Sequence, residues 1–418
     1  MKILVLGSGG REHSIAWKLK QHHGDVYLHP GNAGTLKVGI PNLGNITSLD
    51  EISIHAKNLN IDLIVIGPEA LLAQDQASQL RKAGFLVVGP GLEGAQLETS
   101  KVFAKKFMAR AQVPSAAFRI YLNLEELTQG IQNGSYPKVL KLDGLAAGKG
   151  VVIAKNPDEA IEFAHRVWVQ KVFGPSPQRI IEEDFIPGVE LSYIGLCDGK
   201  TFVPLSSSTD FKRVYDEDKG PNTGGMGAVS PSPYLNSELE NKIKTRIVAP
   251  ILKTFVEEKI DFRGVLYIGI MIDRHQNPWV LEFNTRFGDP ETQSLMMRME
   301  DDLTPLLLAT AKGQLATAAP IRWTDQTAVY VVGAALGYPD KVLTGSPISG
   351  WETTSSDVQI FFSSVELKNQ TLVTAGGRVL GVGALGNNVE EARTKAYQRL
   401  KNIVWEGIHY RKDIGLTR

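Results

Sequence analysis

Four apolar runs in the first hundred residues, separated by stretches with helix-start chemistry, restrict the N-terminal part of this chain to a layered α/β arrangement. The runs are ILVLG from Ile3, VYLH from Val26, DLIVIGP from Asp62 and FLVVGP from Phe85. A strand that is apolar at nearly every position has to be covered on both faces, as in a parallel sheet wound with helices. Between the runs, Ser48 with Glu51 three residues on forms a capping box, in which each side chain satisfies a backbone N–H of the other residue. A doubly wound α/β unit is predicted over residues 1–102.

At 418 residues the chain is too long for one core, and two to four packed units are expected. From about Pro114 strands alternate with glycine-rich turns, and one clear helix begins at Asn156, with Pro157 at its first position and Glu159 at its third. Strands resume at VLYIGIMI (Val265 to Ile272) and WVLEFN (Trp279 to Asn284), followed by a helix predicted from about Thr292 to Gly313. Beyond Trp323 the runs AVYVVGAAL, VQIFF, TLVTAG and RVLGVGAL precede a helix predicted from about Val389 to Trp405. The expected division is 1–102, then 103–325 with a subdomain at about 120–192, then a small α+β unit at 326–418.

The chain carries 45 basic and 45 acidic residues, with no long run of Lys and Arg, which argues against nucleic acid as a partner. Neither a cleavable signal pattern nor a membrane-spanning apolar stretch is present, so a cytoplasmic protein without membrane association is expected. The single cysteine, Cys197, lies in the apolar run LSYIGLC and reads as a buried inert thiol.

Two segments look like phosphate loops and fail the familiar patterns. GSGGRE follows a strand and precedes a helix, but Glu12 stands at the third glycine position of a dinucleotide fingerprint, and no acidic residue ends the second strand. The loop still offers backbone N–H groups at a helix start, with Arg11 beside them; a tight turn with an exposed Arg fits the sequence as well. KLDGLAAGKGVVIA (Lys141 to Ala154) contains GK, yet Asp143 occupies the first glycine position of a Walker A loop and Gly150 the position of its Ser or Thr. What remains is a glycine-rich hairpin that can close over nucleotide phosphates through its amides, with Lys149 adding charge; a plain flexible hairpin reads alike.

LEFNTRFGDPETQ (Leu281 to Gln293) carries the strongest local signal. Side chains alternate along a strand, so Glu282 and Asn284 share a face and Arg286 can follow as the strand ends. A carboxylate, an amide oxygen and a planar cation are the parts phosphoryl transfer needs: oxygen ligands for magnesium and a group that holds an anion. GPNTGGMG (Gly220 to Gly227) packs glycines densely enough for close backbone approach to a ligand, and Asp210, Lys212 and Arg213 precede it. IIEEDFIPGVEL (Ile180 to Leu191) reads as strand, turn and strand, with carboxylates that can accept from ribose hydroxyls.

Taken together, GSGGREH, HPGNAGT, GPEA, ETSKVFAKKFM, KLDGLAAGKGV, IEEDFIPGVELS, DFKR with GPNTGGMGAVSP, GVLYIGIMI, LEFNTRFGDPETQ, GGRVLGVGALG and the closing YRKDIG resemble, in order, the phosphoribosylamine–glycine ligase (glycinamide ribonucleotide synthetase) family. The resemblance implies an ATP-grasp fold with an N-terminal α/β domain, two subdomains around ATP and a C-terminal domain. It implies ATP and Mg2+ (or Mn2+) as cofactors and glycine and 5-phosphoribosylamine as substrates, joined through glycyl phosphate to give glycinamide ribonucleotide, ADP and phosphate in purine biosynthesis. By that similarity, Lys105, Lys141 and the Gly148–Lys149–Gly150 lid meet the phosphates. Glu182, Glu183, Phe185 and Glu190 lie on the adenosine side, and Glu282 and Asn284 hold the metal. Arg286, Asp210 and Lys212 carry the chemistry near glycine. Gly9, Gly10, Arg11, Glu12, Asn32, Gly34 and Glu69 help hold phosphoribosylamine, and Gly224, Gly225 and Asp289 also bind substrate. A monomer or weak homodimer is expected. The alternatives are another ATP-grasp ligase, a dinucleotide-dependent oxidoreductase, or a silent binding protein. The chain departs from the family pattern at Leu71, Leu142, Thr209, Phe211 and the FFSSV segment, where a histidine gives way to Phe362.

Overall fold

The computed structural model describes residues 1–44, 46–131, 134–145, 150–174 and 178–416. The four N-terminal runs form one parallel sheet in the order Val26–Pro30, Ile3–Gly7, Leu63–Ile66, Leu86–Val88. The continuous apolar pattern has a simple cause: alternate residues of one strand enter two different cores. Ile3 and Val5 pack with Ile15, Leu19 and Val65, whereas Leu4 and Leu6 pack with Ile64, Ile66, Leu72 and Leu80 on the other face. The first of these cores also takes in Leu295, Met296, Leu306 and Leu307 from far along the chain. The N-terminal sheet is therefore sealed by the helices Glu291–Arg298 and Thr304–Lys312 rather than only by its own.

The central antiparallel sheet runs Phe202–Pro204, Val189–Cys197, Gly264–Ile272, Pro278–Asn284. Its inner face packs Ile268, Ile270, Val280 and Phe283 against Phe107 and Met108 of the helix Lys101–Arg110 and against Ile247, Ile251 and Phe255. A second antiparallel sheet, Phe118–Tyr121, Ile180–Asp184, Lys138–Leu142, Val151–Ala154, carries the helices Leu124–Ile131 and Pro157–Trp168 on one side. Successive residues of Ile180–Asp184 point to opposite faces, which separates Glu182 from Glu183. The C-terminal sheet runs Thr209–Asp210, Gly227–Ser230, Thr327–Ala334, Arg378–Gly386, Val358–Phe362, so its first two strands come from the middle of the chain. That pairing joins the segments on either side of residue 326 through one hydrogen-bonded sheet.

The capping boxes and caps expected at Ser48 and Asn156 are present, each side chain accepting from the N–H three residues on. The helical stretch expected from about Thr292 to Gly313 is built of two helices. Met299 turns extended, Asp302 Oδ1 accepts from Thr304 N at 2.9 Å, and Pro305 lies in the first turn of the second helix. The C-terminal helix ends at Leu400, short of Trp405. No helix of the described residues is long and apolar enough to cross a membrane. Cys197 is buried, and burial pushes its thiol up to about 12, as an inert core residue requires.

Candidate active site

The strand Pro278–Asn284 ends beside Lys101 of the helix Lys101–Arg110, Lys141 of the hairpin sheet and Lys212. Phe283 turns into the core, so Glu282 and Asn284 face the opposite way, toward Lys212, Lys101 and Lys141. Burial pushes the Glu282 carboxyl up, but Lys212, Lys141, Lys101 and Arg286 outweigh it and hold it below the ordinary carboxylate range. Glu282 is therefore an anion at neutral pH. Arg286 donates to Asn284 Oδ1 at 3.0 Å, and pairs with Glu98 at 2.9 Å and Glu69 at 3.5 Å. Burial raises the Glu98 carboxyl against the pull of Arg286, whereas Glu69 is lowered because Arg286 and Arg11 overcome its burial.

Lys105 and Lys141 meet on a single carboxylate. Glu183 accepts Lys105 Nζ at 3.1 Å on one oxygen and Lys141 Nζ at 3.0 Å on the other, and all three side chains are buried. Two ammoniums at one carboxylate leave an excess positive charge, which suits an incoming phosphate. Burial lowers the Lys105 amine, with Glu183 opposing. Glu182, on the other face of the strand, accepts from Tyr121 Oη at 3.0 Å and pairs with Lys138 at 3.4 Å. Phe185 is exposed just beyond the strand end. Glu190 pairs with Lys212 at 2.7 Å, and Lys212 also reaches Glu282 at 3.7 Å. Asp210 is buried and close enough to Lys212 to help raise that amine, against its burial and together with Glu190 and Glu282.

Asp143, the residue that breaks the Walker pattern, has a local task. Its Oδ1 accepts from Ser100 Oγ at 3.0 Å and Val102 N at 3.1 Å, so it caps the helix Lys101–Arg110 and ties the hairpin base to the helix that carries Lys105. Gly150 O accepts from Leu142 N at 2.7 Å and closes the hairpin neck. Gly148 and Lys149 lie outside the described residues.

On the other side of Arg286, the GSGGRE loop is stitched from within. Glu12 is buried: its Oε2 accepts from Gly9 N at 2.8 Å, and its other oxygen pairs with Arg11 Nε. A Cβ on Gly67 would lie 2.0 Å from Glu12 Oε1, and one on Gly7, where φ is +131°, 2.4 Å from Glu12 Cγ. Those glycines make room for the carboxylate, the physical reason that Glu stands where a dinucleotide fold has its third glycine. Gly10 N donates to Ser363 Oγ at 3.0 Å. Of the two possibilities left open for Arg11, the exposed one is out, because the side chain is buried and donates to Phe287 O at 3.2 Å.

Asp289 accepts from Arg378 at 3.0 Å and from Gln293 Nε2 at 2.8 Å, and Arg378 also holds Gly224 O. Gly225, at φ +107°, lies against Pro290. Asn32 caps the short helix Ala33–Lys37 and donates to Ser8 O at 2.7 Å and Phe362 O at 3.2 Å. A Cβ on Gly34 would lie 2.2 Å from Phe362 Cγ. Phe362 stacks on His13 at 5.7 Å and donates its N–H to His13 Nδ1 at 2.9 Å. The ring thus fills the corner between Gly34 and His13. Phe211 packs under Arg411 at 5.1 Å, Thr209 Oγ1 hydrogen-bonds Ser232 Oγ at 2.7 Å, Leu142 is buried in the hairpin core, and Leu71 packs on the N-terminal core. Each departure has a packed place.

Residues that the sequence did not single out complete the site. Glu98 and Lys101 flank the end of the strand Pro278–Asn284. Glu291 accepts from Tyr267 Oη at 2.6 Å and Ser192 Oγ at 3.2 Å. Arg378 and Ser363 arrive from the C-terminal sheet. Glu98, Glu291 and Arg378 sit inside quoted motifs, ETSKVF, DPETQ and GGRV, where an ionisable residue among glycines or at a helix start was the available signal.

Known proteins match this architecture along its whole length. The phosphoribosylglycinamide synthetase family matches in three parts, its N domain over residues 1–98, its ATP-grasp (A) domain over 99–292 and its C domain over 328–417. The phosphoribosylamine–glycine ligase of Clostridium acetobutylicum is 41% identical over 420 residues, covering 100% of both chains. That of Escherichia coli K12 is 41% identical over 421 residues, covering 99% of this chain and 98% of its own. Among solved structures, phosphoribosylamine–glycine ligase from Thermotoga maritima superposes with a TM-score of 0.86 at 36% identity, covering 99% of this chain and 100% of that one. A biotin carboxylase from Campylobacter jejuni superposes at 0.73 with 17% identity over 99% of this chain and 94% of its own, a likeness of fold alone. The chain belongs to the phosphoribosylglycinamide synthetase family and is an ATP-dependent ligase with an ATP-grasp fold.

Proposed function

We propose that this ligase joins glycine to 5-phosphoribosylamine, forming glycinamide ribonucleotide while ATP is converted to ADP and phosphate. The observation that carries this reading is the meeting of two unlike charge systems at one strand end. The lysine pair on Glu183 with Glu282 and Asn284 lies to one side, and the Arg286–Glu69–Glu98 cluster lies to the other.

Glu282 and Asn284 would hold Mg2+ or Mn2+. Both offer hard oxygen atoms, and Glu282 is kept ionised by its cationic neighbours. Two protein oxygens leave the remaining ligand positions to phosphate oxygens and water, as is usual for Mg2+ at a nucleotide. When bound, the ion neutralises charge on the β and γ phosphates.

Lys105 and Lys141 exchange part of their hold on Glu183 for ATP phosphate oxygens, with Gly150 at the neck of the glycine-rich hairpin beside them. Phe185 and Glu190 are left for the adenosine side, because Glu182 lies on the helix-covered face of its strand with Tyr121 and Lys138 and Glu183 is spent on the lysine pair. Arg286, with Asp210 and Lys212 nearby, orients the glycine carboxylate. A carboxylate oxygen attacks the γ phosphorus and the bond to the β–γ bridging oxygen breaks, so ADP leaves and glycyl phosphate forms. The amine of phosphoribosylamine then attacks the glycyl carbonyl carbon. Inorganic phosphate departs with the former carboxylate oxygen and takes up the amine proton. Positioning and exclusion of water do most of this work, because the mixed anhydride is already activated. Phosphoribosylamine sits along the rim made by Gly9 to Glu12, Asn32, Gly34, Glu69, Gly224, Gly225 and Asp289. Because Gly9 N and Gly10 N are already paired, recognition there falls on side chains and on the buried Gln293 Oε1, which has no hydrogen-bond partner among the described residues.

The test is release of ADP with glycine, phosphoribosylamine and MgATP, beside omission of each. Formation of ADP and glycinamide ribonucleotide only in the complete mixture is expected. Stimulation by bicarbonate or formate, and none by glycine with phosphoribosylamine, would overturn the assignment.

A further inference from the structure

Two buried or half-buried arginines of the C-terminal segment grip opposite ends of the loop that follows Asp210. At the near end, Arg411 is almost wholly buried and donates to Arg213 O at 3.1 Å and to Asp218 at 2.8 Å, with its guanidinium over Phe211. The tail around it follows suit. His409 Nε2 meets Val214 O at 2.8 Å, Lys412 N donates to Asp216 at 2.7 Å, and Glu217 N donates to Asp413 at 2.9 Å. At the far end, Arg378 spans Gly224 O at 2.6 Å, Asp289 O at 2.9 Å and the Asp289 carboxylate at 3.0 Å, while Gly224 N donates to Tyr338 Oη at 3.1 Å.

Between these anchors the loop crosses itself. Thr223 N and Oγ1 both donate to Lys212 O at 2.8 Å, so a shift at Gly224 is passed straight to Lys212. Lys212 in turn bridges Glu190 and Glu282.

We propose that Arg378 and Arg411 are positioning residues for the ligation: they fix the 210–225 loop so that Lys212 and Asp289 stand at their working distances. The C-terminal segment thereby becomes part of the catalytic machinery without touching ATP. A planar fork suits this role, because one guanidinium reaches three acceptors in fixed directions and an ammonium does not.

The proposal rests on the function stated above, and the experiment separates the two. Wild type, Arg378→Gln, Arg378→Lys, Arg411→Lys and Tyr338→Phe are compared by steady-state kinetics, thermal midpoint and hydrogen exchange. Arg378→Gln, which removes the guanidinium that reaches Gly224 O and both acceptors of Asp289, is expected to raise KM for phosphoribosylamine roughly tenfold or more, with KM for ATP changed less than about twofold. Arg378→Lys restores charge but not the fork and recovers only part of the loss. Tyr338→Phe, which removes one hydroxyl and leaves the fold intact, shifts the same constant in the same direction by a smaller factor. Faster amide exchange confined to 211–225 is expected in each variant. A lower thermal midpoint with unchanged KM and unchanged exchange across 211–225 would overturn the positioning role, and for any arginine variant that does not fold, Tyr338→Phe decides. Absence of turnover by wild type would break the assignment of substrates instead, and the exchange measurement would still judge the loop.

Discussion

On the side of the site proposed for the nucleotide, Lys105 and Lys141 share Glu183, and Lys212 is divided between Glu190 and Glu282. On the opposite side, the loop from Gly7 to Glu12 is held by Glu12, which accepts from Gly9 N and from the Arg11 side chain, and Asp289 is locked by Arg378 and Gln293. The first region stores cations on carboxylates from which a phosphate can draw them. The second has two of its backbone donors, Gly9 N and Gly10 N, already paired and presents a fixed shape. The γ phosphate changes partners during the reaction, so the groups that meet it have to be exchangeable, whereas the acceptor substrate only has to be held in place by a surface that does not rearrange.

The comparison is broken most directly at Glu282. Glu282→Ala is expected to lower turnover by about a thousandfold, near 4 kcal/mol of transition-state stabilisation, and chelation of divalent metal should do the same to wild type. ADP release measures both, with circular dichroism to show that the fold persists. Next, Glu183→Gln removes the shared counter-charge and leaves two ammoniums facing each other. KM for ATP is expected to rise roughly tenfold to a hundredfold, with KM for phosphoribosylamine nearly unchanged. Across the divide, Glu12→Gln loosens the loop at Gly9 and Arg11. It should cost about 1.5–3 kcal/mol in urea unfolding and raise KM for phosphoribosylamine while sparing ATP. Equal effects of Glu183→Gln and Glu12→Gln on both substrates would erase the distinction between the two regions.

The smallest effect concerns pH. Burial pushes His13 down to about 3, whereas an unfolded histidine titrates near 6.5. Between those values the unfolded chain binds the extra proton, so stability falls as pH drops below about 6.5, by roughly 1.4 kcal/mol per pH unit for this one group. Unfolding midpoints from pH 7.5 to 5 should show that slope, and His13→Gln should flatten it by about one proton.

Much of this was written in local sequence. The apolar runs from Ile3, Val26, Asp62 and Phe85 are strands because their two faces enter two cores, a pattern visible without coordinates. The shared face of Glu282 and Asn284 followed from strand alternation alone. Partnerships across long stretches of chain were not legible: Arg286 with Glu98, Lys105 with Glu183, and Arg378 with Asp289 depend on how sheets converge. The break at Met299 was hidden because the apolar period continues across it, and only Asp302, whose side chain accepts from Thr304 N, and Pro305 mark the start of the second helix. Glu12 looked like a damaged fingerprint, and its real task appears only when Gly7 and Gly67 are seen to make room for it.

The most direct test of the central claim follows an oxygen atom. Glycine labelled with 18O in its carboxylate is supplied with phosphoribosylamine and MgATP, and the inorganic phosphate released is weighed by mass spectrometry. Transfer of one 18O into each phosphate is the expected result, because the carboxylate oxygen that attacks the γ phosphorus leaves with it. Phosphate without label, formed alongside glycinamide ribonucleotide, would contradict an acyl phosphate route and with it the role assigned to the site.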